Sequence, residues 1–181
     1  MKKKLFMLLP LFFLEACQLY PKIQIYNIKS PFDEKEAEKL MKPGKNTIIG
    51  NSFLRMRNGG IITCAGYKVT LIPVTAYAEE RMLMLYNNKT KGFNPLVYNG
   101  QHLRKYQFEP EWAAYSDFTK ETMCDSSGNF KFNNIADGSF YILTNVNWET
   151  PSQYNTIMNG GTLMEKITVK NGETKEIVIS M

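Results

Sequence analysis

The stretch TMCDSSGNFKFNNIADGSFYILT, residues 122–144, constrains the fold of this chain more than any other. Phe130, Phe132 and Ile135 alternate with polar neighbours between two turn signals, Asp125-Ser126-Ser127-Gly128 and Ala136-Asp137-Gly138. Phe140, Ile142 and Val146 recur at even spacing beyond the second turn, with Tyr141 and Leu143 on the opposite side. Successive side chains leave a strand on opposite faces, so this alternation predicts half-buried antiparallel strands. The expectation is a β-sandwich.

The rest of the chain extends that rhythm on both sides. Residues 47–57 read as a first long strand, with Gly50 marking a bulge or bend. Asn58-Gly59-Gly60 turns the chain, and residues 66–73 form a second strand with Val69 and Leu71 on one face and Pro73 at its end. Near the C-terminus, residues 160–169 and 173–179 flank Asn171-Gly172, a strong two-residue turn signal that predicts a closing hairpin. Residues 148–159 read as a loop before it. Residues 74–120 break the rhythm: 75–86 suit a short helix, and the remainder is rich in Tyr, Asn and Pro without a period. An insertion of this size is where partner contact tends to concentrate.

Composition excludes some classes. Apolar residues make up 44% of the 181, enough for a core. The formal charge of +5 includes Lys2, Lys3 and Lys4, and no concentrated basic stripe of the kind a nucleic-acid binder uses is present.

The N-terminus explains those lysines. A positive start, a short apolar run broken by Pro10, and Leu14-Glu15-Ala16-Cys17 read as an export signal over residues 1–16, too short to span a bilayer. The last four residues resemble the lipobox of bacterial lipoproteins, with Glu15 an unusual occupant of its middle position. That resemblance implies that Cys17 carries acyl chains (palmitate among them) and holds the protein on a membrane, at about 0.8 kcal/mol per buried CH₂. Gln18, where an inner-membrane retention signal has Asp, implies the outer membrane. A plain secretory signal with an incidental Cys17 is the competing reading. Residues 17–45 are then expected as a tether, with a helix over 31–42 capped by Ser30, opened by Pro31, closed in a capping box by Asp33 and stopped by Pro43-Gly44. Its thin apolar side, Ala37, Leu40 and Met41, suits a solvated spacer.

Taken together, Ile48-Ile49-Gly50, Val69-Thr70-Leu71-Ile72-Pro73, the run from Cys124 through Phe130 and Phe132 to Ile135, Gly138-Ser139-Phe140, and Val169 with Asn171-Gly172 resemble the carboxypeptidase regulatory-like family, over about residues 46–181. The matching features are a D-x-x-G-x-F-x-F strand pair, a Gly-containing turn before an aromatic, and a final V-x-x-G hairpin. The resemblance implies a seven-stranded transthyretin-like antiparallel β-sandwich, found in accessory domains and stand-alone envelope proteins, with no reaction of its own. Ala136 stands where the family usually has Pro, and the 74–120 insertion is longer than the plain domain carries.

Candidate chemistry is sparse. Cys64 and Cys124 remain as a pair once Cys17 is acylated, and an oxidising envelope compartment favours a disulfide between them. His102 is the single histidine and no CxxC or HxxxH spacing occurs, which points away from a metal site, a cofactor or a His-dependent nucleophile. Glu109 and Glu111 flank Pro110 and read as solvated surface rather than a glycosidic acid–base pair. Asp125-Ser126-Ser127-Gly128 reads as a β-turn and not a calcium loop. The best binding candidates are Arg55 and Arg57, sharing a face of the first strand, with Trp112 and Trp148 in loops. The competing reading leaves the arginines solvated or paired and the tryptophans at core ends.

These residues point to a non-enzymatic envelope lipoprotein that makes protein or glycan contacts through the 74–120 insertion and the Trp148 loop. A structural subunit of an envelope assembly, or a hydrolase of envelope polymers using His102 or Glu109, are the alternatives.

Overall fold

The alternation at 122–144 is realised, but its two halves belong to different sheets. The structure, a computed structural model, describes residues 23–98, 101–102, 106–153 and 156–181. The signal segment and Cys17 lie outside the described residues. In chain order the elements are β1 (Gln24–Asn27), α1 (Glu34–Met41), β2 (Asn46–Arg55), β3 (Ile61–Thr63), β4 (Lys68–Pro73), α2 (Ala76–Tyr86), β5 (Lys91–Pro95), β6 (Val97–Tyr98), β7 (Gln101–His102), β8 (Tyr106–Glu109), a 3-10 turn at Ala113–Asp117, β9 (Lys120–Met123), β10 (Asn129–Ile135), β11 (Gly138–Pro151), β12 (Thr156–Val169) and β13 (Thr174–Ser180).

The fold is mainly β. One sheet has four strands, with β2 between β10 and β13 and with β3 also on β2; the other has five, ordered β5-β12-β11-β4-β9. These exceed the seven expected, because β5, inside the 74–120 insertion, and β9, which begins at its end, flank the larger sheet. Both sheets alternate as strands must. Ile48, Phe130, Phe132 and Ile179 on the smaller sheet meet Val69, Leu71, Phe140, Ile142 and Leu163 on the larger one in a single buried cluster. Each such side chain contributes about 1.5–3 kcal/mol by leaving water. The Cys64–Cys124 disulfide forms as expected, with Cα atoms 5.7 Å apart. It joins the chain just after β3 to the chain just after β9, stapling an edge of one sheet to an edge of the other.

The opposite face of the larger sheet carries a second core. Ile72, Tyr141 and Met164 pack there beneath Tyr77, Ala78 and Met82 of α2, together with Phe32, Ala37, Phe108 and Tyr115. Adjacent residues Phe140 and Tyr141 therefore serve different cores, each fully buried. Thr75 caps α2, its side chain accepting from the Ala78 amide at 3.2 Å, so the helix expected over 75–86 is present.

Several expectations need correction. Gly50 is not a bulge; it stands in register opposite Phe130 and Ile177. Its missing side chain makes room for the Phe130 ring, which lies where a β-carbon would go. The irregularity falls instead in β10 between Phe132 and Ile135, where Asn134 has φ 57°. Asn171 and Gly172 do turn the chain with φ of 61° and 75°, but no hairpin follows. β12 is already flanked by β11 and β5, so β13 crosses to the other sheet and pairs in parallel with β2. Residues 148–159 are not a loop either. The β11–β12 ladder runs unbroken in register from Gly138 opposite Val169 to Pro151 opposite Thr156, and Asn159 Nδ2 donates to Thr150 Oγ1 across it at 2.8 Å.

The stretch expected as a tether is built into the fold from Gln24 onward. β1 pairs in parallel with β8, and Ile28 and Phe32 are buried. Helix α1 starts later than expected because Asp33, not Ser30, is its cap: Asp33 Oδ1 accepts from the amides of Lys35 at 3.0 Å and Glu36 at 3.1 Å. The Ser30 amide donates instead to Glu80 Oε2 at 2.8 Å, beside the Lys29 amide on Oε1 at 3.0 Å. Ala37 is fully buried, so α1 packs on the domain and is not a solvated spacer.

Candidate functional site

The most unusual chemistry among the described residues is centred on Arg81. Tyr77 and Arg81 are one helical turn apart on α2 and so share a face. That face meets β8 and the 3-10 turn. The Arg81 guanidinium sits 3.8 Å from the Phe108 ring centre, 4.6 Å from that of Tyr115 and 5.5 Å from that of Tyr77. Its Nη1 donates to the Tyr77 hydroxyl at 3.0 Å and to Glu111 Oε1 at 2.6 Å. The Tyr77 hydroxyl donates in turn to the Pro110 carbonyl at 3.0 Å. Aromatic faces carry negative quadrupole charge, so three rings and a carboxylate hold this cation in place, each ring contributing about 0.5–2 kcal/mol. The Arg81 side chain is only 14% exposed, whereas Glu111 is 51% exposed.

Tyr115 packs edge-on against Tyr77 and Phe32, with ring centres at 5.1 and 5.6 Å. Its hydroxyl is buried and has no hydrogen-bond partner. Burial, the largest influence, pushes its pKa well above the usual tyrosine value, with the Arg81 charge acting in the opposite direction. Buried hydroxyls are almost always bonded, so this one is an exception, and it is closed off from solvent.

That concavity, about 430 Å³, opens above this cluster and is lined by Thr70, Arg81, Glu111, Trp112, Ala113, Tyr115, Ser116, Thr119 and Glu121. Thr70 and Glu121 are cross-strand partners on β4 and β9. Trp112 stands at its mouth, 39% exposed. The volume lies within the range of about 300–1,000 Å³ typical of small-ligand sites.

Of the residues singled out in the sequence, Trp112 belongs to this site. Glu111, read as solvated surface, is there too as the partner of Arg81. Glu109 lies on β8, accepts from Gln107 at 3.2 Å and does not line the concavity. Trp148 is on strand β11, not in a loop, half-buried against the core between the sheets. Arg55 ends β2 and Arg57 falls in the turn beyond it, so they do not share a strand face; both are exposed and neither lines the concavity. His102 is on β7, and its side chain lies outside what is described. No group of His, Cys, Asp and Glu suited to a metal occurs among the described residues. The sequence reading missed Arg81, Tyr115 and Glu121. The available signal was an arginine inside AYAEERMLMLY, four residues after a tyrosine that the helix places beside it.

No family model matches the sequence. No curated protein is similar to it at a significant level. Among solved structures, the fold is similar to the crystal structure of a "putative carbohydrate binding protein" from Pseudomonas aeruginosa, with a TM-score of 0.67, 23% sequence identity, and coverage of 84% of this chain and 99% of that one. At that identity the likeness is one of fold.

Proposed function

We propose that this chain is a non-enzymatic envelope lipoprotein, anchored through Cys17, that holds a glycan in the Trp112 concavity. The carboxypeptidase regulatory-like resemblance belongs to the same reading, since such domains serve as non-catalytic modules. The observation that carries the glycan assignment is the pairing of an exposed indole, Trp112, with the exposed carboxylates of Glu111 and Glu121 around one concavity, beside a guanidinium fixed among rings. Sugars present an apolar ring face and a rim of hydroxyls. An aromatic plate with polar groups around it complements both. The Pseudomonas aeruginosa protein of similar fold, described as a carbohydrate binding protein, supports this ligand class.

The test is binding of envelope polysaccharide fragments to the full chain in detergent micelles. Trp112→Ala is expected to weaken binding at least tenfold, as loss of a central aromatic anchor does, and unchanged affinity overturns the assignment. In the same cells Cys17→Ser should move the protein out of the membrane fraction, and retention there removes the lipid anchor.

A second reading, as a subunit of an envelope assembly, is favoured by the far end of the β11–β12 hairpin. β4 pairs with β11 only between Phe140 and Thr144, and β5 pairs with β12 only between Gly161 and Glu165. Beyond those points the described part of β11 pairs with no third strand, whereas on the β12 side the Leu96 amide still donates to the Gly160 carbonyl at 2.8 Å; an open edge such as that of β11 accepts an added strand.

A further inference from the structure

The concavity has an uneven hydrogen-bonding character that narrows its ligand; this step rests on the glycan reading above. Arg81 is the only cation among the described lining residues, and it is already committed to Glu111, Tyr77 and the surrounding rings. The Ser116 hydroxyl donates to the Ala113 carbonyl at 3.0 Å, and the Thr119 hydroxyl donates to the Ser116 carbonyl at 3.0 Å. What these groups have left to offer is lone pairs. The carboxylates of Glu111 and Glu121 accept as well. The wall is therefore rich in acceptors and has no uncommitted cation for an anionic sugar.

Glu121 is the replaceable point. Its Oε2 meets Lys68 Nζ at 2.7 Å, but the two side chains are 48% and 66% exposed. An exposed pair of this kind is screened and exchanges at little cost. An incoming ammonium group can take the place of Lys68 while lying beside the Trp112 ring, where a cation gains from the aromatic face. We propose that the concavity takes an amino sugar, with its ammonium on the Glu121 carboxylate and its ring against Trp112.

The experiment titrates the full chain in detergent, followed by tryptophan fluorescence at about pH 6, where an amine of this type is protonated. The probes are short oligomers of glucosamine, of N-acetylglucosamine and of galacturonate. The glucosamine oligomer is expected to bind about fivefold or more tightly than its acetylated counterpart, as one exposed charge pair allows. The galacturonate oligomer is expected to be the weakest. The net charge, +5 over the whole sequence and still positive once Lys2, Lys3, Lys4 and Glu15 leave with the signal, disfavours a polycation in general, so such a preference has to arise at the site. Glu121→Gln should abolish the preference and leave binding of the acetylated oligomer intact. Equal affinity for the two glucosamine forms, tighter binding of galacturonate, or a preference that survives Glu121→Gln overturns the ammonium assignment and leaves the glycan reading standing. Failure of all three to bind overturns both.

Discussion

Tyr115 and Tyr77 touch each other edge to face, yet removing their hydroxyls should move stability in opposite directions. Tyr115 is 8% exposed and its oxygen has no partner. A hydroxyl buried without a bond costs about 1–3 kcal/mol, so Tyr115→Phe should stabilise the protein by an amount of that order while leaving the ring contacts intact. For a chain of this size about 1 kcal/mol corresponds to ~2–4 °C in Tm. Thermal unfolding followed by circular dichroism at neutral pH should therefore show a rise of at least ~2 °C. The Tyr77 hydroxyl accepts from Arg81 and donates to the Pro110 carbonyl, both at 3.0 Å. Tyr77→Phe leaves a buried donor and a carbonyl short of a partner, and Tm should fall by ~2 °C or more. A fall in Tm for Tyr115→Phe matching that of Tyr77→Phe would refute the reasoning, since it would mean that the Tyr115 hydroxyl is bonded in the free protein.

Three further outcomes test the fold. Reducing the Cys64–Cys124 bridge, which spans a separation of 60 residues, should cost about 4 kcal/mol, read as a lower denaturant midpoint with dithiothreitol than without; an unchanged midpoint contradicts the staple. Gly50→Ala drives a methyl group into the Phe130 ring and should cost about 1–3 kcal/mol in the same assay, whereas Gly59→Ala, in open space but at φ 86°, tests backbone strain without a clash. Burial raises the pKa of Tyr141 to about 12, with the Glu79 carboxylate adding to the shift, and raises that of Tyr86 further, again chiefly through burial. Their neutral forms are favoured in the fold, so this contribution is fully present below the ordinary tyrosine value of about 10 and is lost as pH rises from there towards the folded values. Stability should decline above about pH 10, and a flat profile there contradicts the burial of these hydroxyls.

What could be read from the sequence was local. The alternation of Phe130, Phe132, Phe140 and Ile142 depends on nothing but the pleat, and it identified two strands and their inward faces. The Asn171-Gly172 turn was legible for the same reason, since positive φ is a property of those two residues. Strand partners were not legible. β12 had both edges filled by strands drawn from other parts of the chain, one of them inside the irregular insertion, so a turn with hairpin chemistry became a crossing between layers. Trp148 looked like a loop residue because Glu149, Thr150 and Pro151 carry no strand pattern, whereas the ladder there is set by pairing with residues 156–159. The site was half visible. Trp112 stood out as an exposed-type aromatic, but Arg81 acquires its meaning only from Phe108, Glu111 and Tyr115, which the fold of the insertion brings to it.

The position of β2 between β10 and β13 has a kinetic consequence. Its neighbour on one side, β13, is the final strand, with Thr174 opposite Thr47 and Ser180 opposite Phe53. During synthesis the smaller sheet can therefore exist only as an incomplete ribbon until β13, which follows every strand of the larger sheet in the chain, has emerged, and closing so long a loop is slow. Until then one margin of β2 is bare and the cavity that Ile179 will fill stands open. Before β13 docks, the unpaired margin of β2 is a template for another copy of the chain, and that seven-residue strand covers it.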